Sequence, residues 1–67
     1  MEFKDILKKE LKAQKISAYK LSKMTGITQQ NISNYINGKH EPTIHNLRLI
    51  CEYLDVSADY MIGRKEY

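Results

Sequence analysis

The stretch Ser17-Ala18-Tyr19-Lys20-Leu21-Ser22-Lys23-Met24-Thr25-Gly26-Ile27-Thr28-Gln29-Gln30-Asn31-Ile32-Ser33-Asn34-Tyr35-Ile36-Asn37 decides how the whole chain is read. It holds two short segments, opened by Ser17 and Thr28 and followed by Gly26 and Gly38. A Ser or Thr oxygen takes up an orphan backbone N–H at a helix start, and glycine accepts the positive φ that ends a helix. Both segments are therefore expected to be helices, the first of seven or eight residues with Ala18, Leu21 and Ser22 on one face. The link Thr25-Gly26-Ile27 is so short that the two helices must cross closely. Ser22 is small enough to let the second approach, and Leu21, Ile27, Ile32 and Tyr35 have the spacing to fill the angle between them.

Five of the ten side chains in residues 28–37 are amides, an unusual load for a helix. At the helical step, Ile32, Tyr35 and Ile36 fall on an arc of about 100°, and Gln29, Gln30, Ser33, Asn34 and Asn37 on an opposite arc of about 140°. Asn and Ser are poor helix-interior residues, and a face that merely meets water is more cheaply made of Glu and Lys. An amide both donates and accepts, which matches the N6/N7 edge of adenine in the major groove.

Outward from this centre the helical pattern continues. Phe3, Ile6, Leu7 and Leu11 line one stripe of a helix over about 2–14. Beyond Glu41-Pro42, Thr43 is placed to cap a fourth helix with Ile44, Leu47, Ile50, Cys51 and Leu54 turned inward, and Ser57 to cap a last turn whose Tyr60, Met61 and Ile62 cover the core. No segment alternates with the period of a strand. The expectation is an all-α, compact bundle of five short helices forming one domain over 1–67.

The 67-residue chain carries eleven Lys and Arg against eight Asp and Glu, a net +3 with a pI near 9.1. That modest excess is unevenly spread. Residues 11–40 hold five lysines (Lys12, Lys15, Lys20, Lys23 and Lys39) and no acid, whereas residues 41–67 hold three basic and five acidic residues. A cationic block of this kind is the footprint of a polyanion binder. Met1-Glu2-Phe3-Lys4-Asp5 interrupts any signal-peptide core, no apolar run is long enough to span a bilayer, and Glu2, Asp5 and Glu10 break the cationic face that would lay the first helix on a membrane. The lone Cys51 makes no internal disulfide and fits a reducing cytoplasm. His40 and His45 have neither a metal-ligand spacing nor a catalytic companion, and no glycine-rich phosphate loop occurs, so neither a metal site nor an enzyme is expected.

Two helices joined by so tight a turn form the helix-turn-helix layout, in which the second helix enters the groove by its N-terminal residues. Here the residues resemble a family. Ile16-Ser17-Ala18-Tyr19-Lys20-Leu21-Ser22, Thr25-Gly26-Ile27-Thr28-Gln29-Gln30-Asn31-Ile32-Ser33, Asn37-Gly38-Lys39 with Pro42-Thr43, and Asp55-Val56-Ser57-Ala58-Asp59-Tyr60 are similar to the Cro and phage-repressor (XRE-type, lambda-repressor-like) helix-turn-helix regulators over nearly the whole chain. The resemblance implies a sequence-specific DNA-binding transcriptional regulator of prokaryotic or phage type, most simply a repressor. It would act as a weak or DNA-induced homodimer on a near-palindromic double-stranded operator, without cofactor or small-molecule ligand. Carried over by position, base contacts fall to Gln29, Gln30, Ser33 and Asn34, and phosphate contacts to Ser17, Lys20, Thr28, Asn37 and Lys39. Against the common pattern, Ala18 stands where Gln is frequent, Ile36 where Glu is frequent, and the link between the first two helices is about one residue short and lacks a glycine. The competing class is a protein-interaction module or antitoxin-type partner of the same fold. Such a surface favours exposed aromatic and apolar anchors over amides and lysines.

Overall fold

The computed structural model describes residues 1–64, so the final three residues of the domain expected over 1–67 lie outside the described residues. Five helices follow one another: α1 (Phe3–Gln14), α2 (Ala18–Thr25), α3 (Gln29–Ile36), α4 (Ile44–Leu54) and α5 (Ala58–Met61). Among the described residues there is no strand, and no helix is long and apolar enough to cross a membrane.

Four of the five helix starts use one local device. The hydroxyl oxygens of Ser17, Thr28, Thr43 and Ser57 accept the backbone N–H groups of Lys20, Asn31, Asn46 and Tyr60 at 3.0, 3.2, 3.1 and 3.1 Å. Only α1 begins without a side-chain cap, with Asp5 in its first turn, where a negative charge suits the positive end of the helix. At its other end Lys15 takes the left-handed conformation (φ 58°) that glycine commonly supplies, and its N–H reaches the carbonyls of Leu11 and Lys12. The missing glycine is thus met by a strained lysine rather than by a different turn.

α2 packs on α3 and α4, α1 on α3 and α5, and α4 on α5. Leu7, Leu21, Ile32, Ile50 and Met61 are fully buried where these helices meet. Each such aliphatic side chain contributes about 1.5–3 kcal/mol relative to exposure. Ile36 is half-buried against the same core, an apolar contact where the family pattern frequently has Glu. Two expected core positions are not in the core. Ile44 is 85% exposed, because at the helical step it lies about 90° from the centre of the arc set by Leu47, Ile50 and Leu54, on the first turn of α4. Ile62 follows the last residue of α5 and is 48% exposed, while Tyr60 and Met61 before it are buried.

A polar seam joins α1 to the end of α4 and to α5. The Tyr60 hydroxyl donates to Glu10 Oε2 at 2.8 Å, and Gln14 Nε2 donates both to Glu10 Oε1 at 3.1 Å and to the Leu54 carbonyl at 2.9 Å. The bond to Glu10, then burial and the carboxylate charge, push the Tyr60 phenol above its ordinary value. Cys51 is buried in the α4 stripe, and burial, with Glu52 adding to it, raises its thiol pKa. His40 and His45 are exposed, and no cluster of three or more His, Cys, Asp or Glu able to hold a metal occurs among the described residues.

Lys15→Gly is expected to raise unfolding free energy by about 0.5–1 kcal/mol in urea titrations, as left-handed strain is relieved. Tyr60→Phe is expected to cost about 1 kcal/mol at neutral pH. A phenol whose folded pKa is raised stabilises fully below its unfolded value and loses that effect as pH climbs through the folded one. The difference between the two proteins in urea therefore shrinks above about pH 10.

Candidate nucleic-acid interface

The turn between α2 and α3 is held by three side chains and a glycine. Gly26 adopts φ 79° and donates its N–H to the Ser22 carbonyl at 2.9 Å. Thr25 Oγ1 donates to the Leu21 carbonyl at 2.7 Å and accepts the Ile27 N–H at 3.2 Å, while Ser22 Oγ donates to the Ile27 carbonyl at 2.6 Å. Ile27, bonded at both its N–H and its carbonyl, has its side chain buried in the core with Leu21, Ile32 and Tyr35. Ser22 was expected to serve by smallness alone; its hydroxyl also ties α2 to the turn.

α3 is anchored along its inner face. Ile32 is fully buried, and the Tyr35 ring meets Phe3 edge-on with centroids 6.4 Å apart and planes at 76°. The Tyr35 hydroxyl accepts Asn46 Nδ2 at 2.9 Å, which pins the end of α3 to the start of α4. These contacts leave the amide face outward. Gln29 and Gln30 are exposed, Ser33 and Asn34 half-buried on the same side. Gln30 Nε2 donates to Asn34 Oδ1 at 3.2 Å, so the two side chains are already paired, with the Gln30 carbonyl and the Asn34 amino group left to meet a partner. Such a face offers donors and acceptors without charge, which suits base edges.

The remaining expected site residues surround that face in sequence and differ in how far they are committed. Thr28 and Asn37 bracket α3, and Lys39 is exposed in the loop beyond. Ser17 and Lys20 stand apart on the first turn of α2, linked by the Ser17 cap. In both Ser17 and Thr28 the oxygen accepts a backbone N–H, and the hydroxyl hydrogen stays available to donate to an anion. Lys23 lies 5.5 Å from the centroid of the exposed Tyr19 ring, so its ammonium is partly engaged, whereas Lys12, Lys15, Lys20 and Lys39 are exposed.

Two residues at this face were not singled out from the sequence. Asn31, on the first turn of α3, is exposed beside Gln30; it falls between the polar and apolar arcs, and periodicity assigned it to neither. Lys4 of α1 lies across Gly38 at the end of α3, where a side chain on that glycine would approach the Lys4 Cδ to 2.8 Å and its Nζ to 3.4 Å. Gly38 also needs φ 76°, so it supplies both the turn and the room for the lysine stem. No local signal announces a contact between residues so far apart in the chain.

Comparisons with known proteins agree with this geometry. The family model described as Helix-turn-helix matches residues 7–61. The fold is similar to a solved structure of the P22 c2 repressor protein in complex with synthetic operator 9T, with TM-score 0.89 and 26% identity over 97% of this chain and 98% of that one. It is also similar to a transcriptional regulator from Listeria innocua, with TM-score 0.84 and 19% identity over 92% of this chain and 58% of that longer one, which speaks to the fold alone. No curated protein sequence matches the chain.

Thr28→Ala is expected to lower stability by about 1 kcal/mol through loss of the α3 cap, with Thr28→Ser restoring most of it. Urea unfolding gives the magnitude, and faster hydrogen exchange at the Asn31 amide locates the cause.

Proposed function

Because the chain belongs to the Helix-turn-helix family, we propose that it is a sequence-specific DNA-binding transcription regulator, a repressor, that places α3 in the major groove of operator DNA. The observation that carries the reading is the uncharged amide face of α3, held outward by a tied turn within a block of lysines free of acids. Eight helical residues span about 12 Å, the width of the major groove. The P22 c2 repressor, similar along the whole chain, is seen with an operator, which supports the same use here.

In this reading Gln29, Gln30, Ser33 and Asn34 meet base edges. Ser17, Lys20, Thr28, Asn37 and Lys39 hold phosphates and set the register of the helix, as most contacts in such interfaces do. Two copies bind a near-palindromic site with half-sites about 34 Å apart or a multiple of it, and associate weakly or only on DNA. The protein works in the cytoplasm and needs no cofactor. No arginine precedes Arg48, so the commonest bidentate reader of guanine is missing from the recognition segment, and A·T pairs are preferred at the key positions.

Selection of bound sequences from random DNA is expected to return A·T-containing half-sites; strictly G·C cores would refute the amide readout. Gln29→Ala or Gln30→Ala is expected to cost about 1–3 kcal/mol of affinity and relax preference at one position, whereas Lys39→Ala weakens binding to all sequences alike. With about six to ten phosphate contacts per dimer, log affinity falls against log salt with a slope of roughly −5 to −9, and a flat response would point to a protein partner instead.

A further inference from the structure

Lys4 stands apart from the other lysines. Every other described lysine is exposed, whereas Lys4 is half-buried. Its stem occupies the room left by Gly38, where a Cβ would come within 2.8 Å of the Lys4 Cδ and 3.4 Å of its Nζ. The ammonium is thereby held at the end of α3, at the residue that lies between Asn37 and Lys39 in the chain. The backbone at this point has no N–H to spare for an anion. Asn37, Gly38, Lys39 and His40 donate theirs to the carbonyls of Ser33, Tyr35, Asn34 and again Asn34, at 2.9, 3.2, 2.9 and 3.4 Å. Any hold on a phosphate here therefore falls to side chains, and these are mixed in sign. Glu2 and Glu41 line a small hollow of about 60 Å³ together with Lys4, Gly38 and His40. Neither carboxylate forms an ion pair with Lys4 among the described residues. A phosphate near Asn37 and Lys39 meets the field of two acids, which the Lys4 ammonium offsets.

We infer that Lys4 is a phosphate-holding residue of the DNA interface, contributed by α1 and set in place by Gly38. The inference rests on the DNA-binding reading and adds to it a contact that neither helix of the helix-turn-helix supplies. Lys4 also lies outside the cationic block of residues 11–40, so charge arithmetic passes over it. A stem already packed has given up rotamer freedom that the exposed lysines lose only on binding, which lowers the entropic cost of the contact. A hold at the end of α3, set against that of Thr28 at its start, fixes the tilt of the helix whose first residues face the bases.

The test titrates the 67-residue chain into an A·T-rich and a G·C-rich DNA duplex of about 20 base pairs each, over roughly 50 to 300 mM KCl. Lys4→Met keeps the stem and removes the charge. It is expected to weaken binding to both duplexes about five- to tenfold near 100 mM salt, and to make the slope of log affinity against log salt shallower by about 0.9 per bound copy. Lys4→Arg is expected to keep the wild-type slope, and Lys4→Met the wild-type urea midpoint. Lys9, exposed and about 140° round α1 from Lys4, gives the control: Lys9→Met is expected to leave the slope within about 0.3 of wild type. A wild-type slope in Lys4→Met overturns the inference, even where the urea midpoint falls, because such a lysine only steadies the fold. An equal change from Lys9→Met overturns it as well, since net charge alone then acts. In both cases the salt-dependent binding of the wild type leaves the DNA reading standing. A wild type that binds neither duplex removes the reading and the contact together.

Discussion

The fixed crossing of α2 and α3 is the constraint on which everything else depends. Leu21 and Ile32 are fully buried on either side of it, and Ile27 fills the space between while bonded through both of its backbone groups. With eight residues, α3 is too short to be stable in isolation, since helices under about 12 residues are marginal in water. α3 exists because it is capped by Thr28, packed through Ile32 and Tyr35, and pinned by Asn46. Its outer face is thereby freed from any stabilising duty and can be composed for its partner.

That freedom explains a composition at odds with helix propensity. Residues 29–34 hold four amides and a serine around one buried isoleucine. Five such residues stand in place of better helix formers at a cost of about a few tenths of a kcal/mol each, small beside the burial on the opposite face. The lysines act at longer range and need no such exact placement, which fits their exposure and their spread over α1, α2 and the loop after α3.

What could be read from the sequence was whatever local chemistry determines. The hydroxyl caps at Ser17, Thr28, Thr43 and Ser57 all stand where expected, because a cap needs only its own side chain and the N–H three residues on. The turn fillers Leu21, Ile27, Ile32 and Tyr35 were legible for the same reason, since tight connection leaves little choice of partner. Ile44 was misplaced because spacing locates a residue on a helix but not the helix beside a neighbour. The Glu10–Tyr60 bond and the lysine stem over Gly38 join positions far apart in sequence, and no periodicity signals them. At Lys15 the absence of glycine was visible, but only the backbone shows that the turn kept its shape and put the strain on a lysine.

The bond between Gln30 and Asn34 has a consequence for how this surface changes over generations of mutation. Neither amide is an independent letter: replacing one releases the other to rotate, so the effects of single substitutions do not sum to that of the pair, and a double-mutant cycle measures the excess. Under the proposed base readout, a new target sequence is then reached more readily by a paired change than by two successive ones, each of which passes through a surface with one loose side chain. Gln29 has no such tie to a neighbouring side chain among the bonds of this face, so under the same proposed readout it is the position that can change one step at a time.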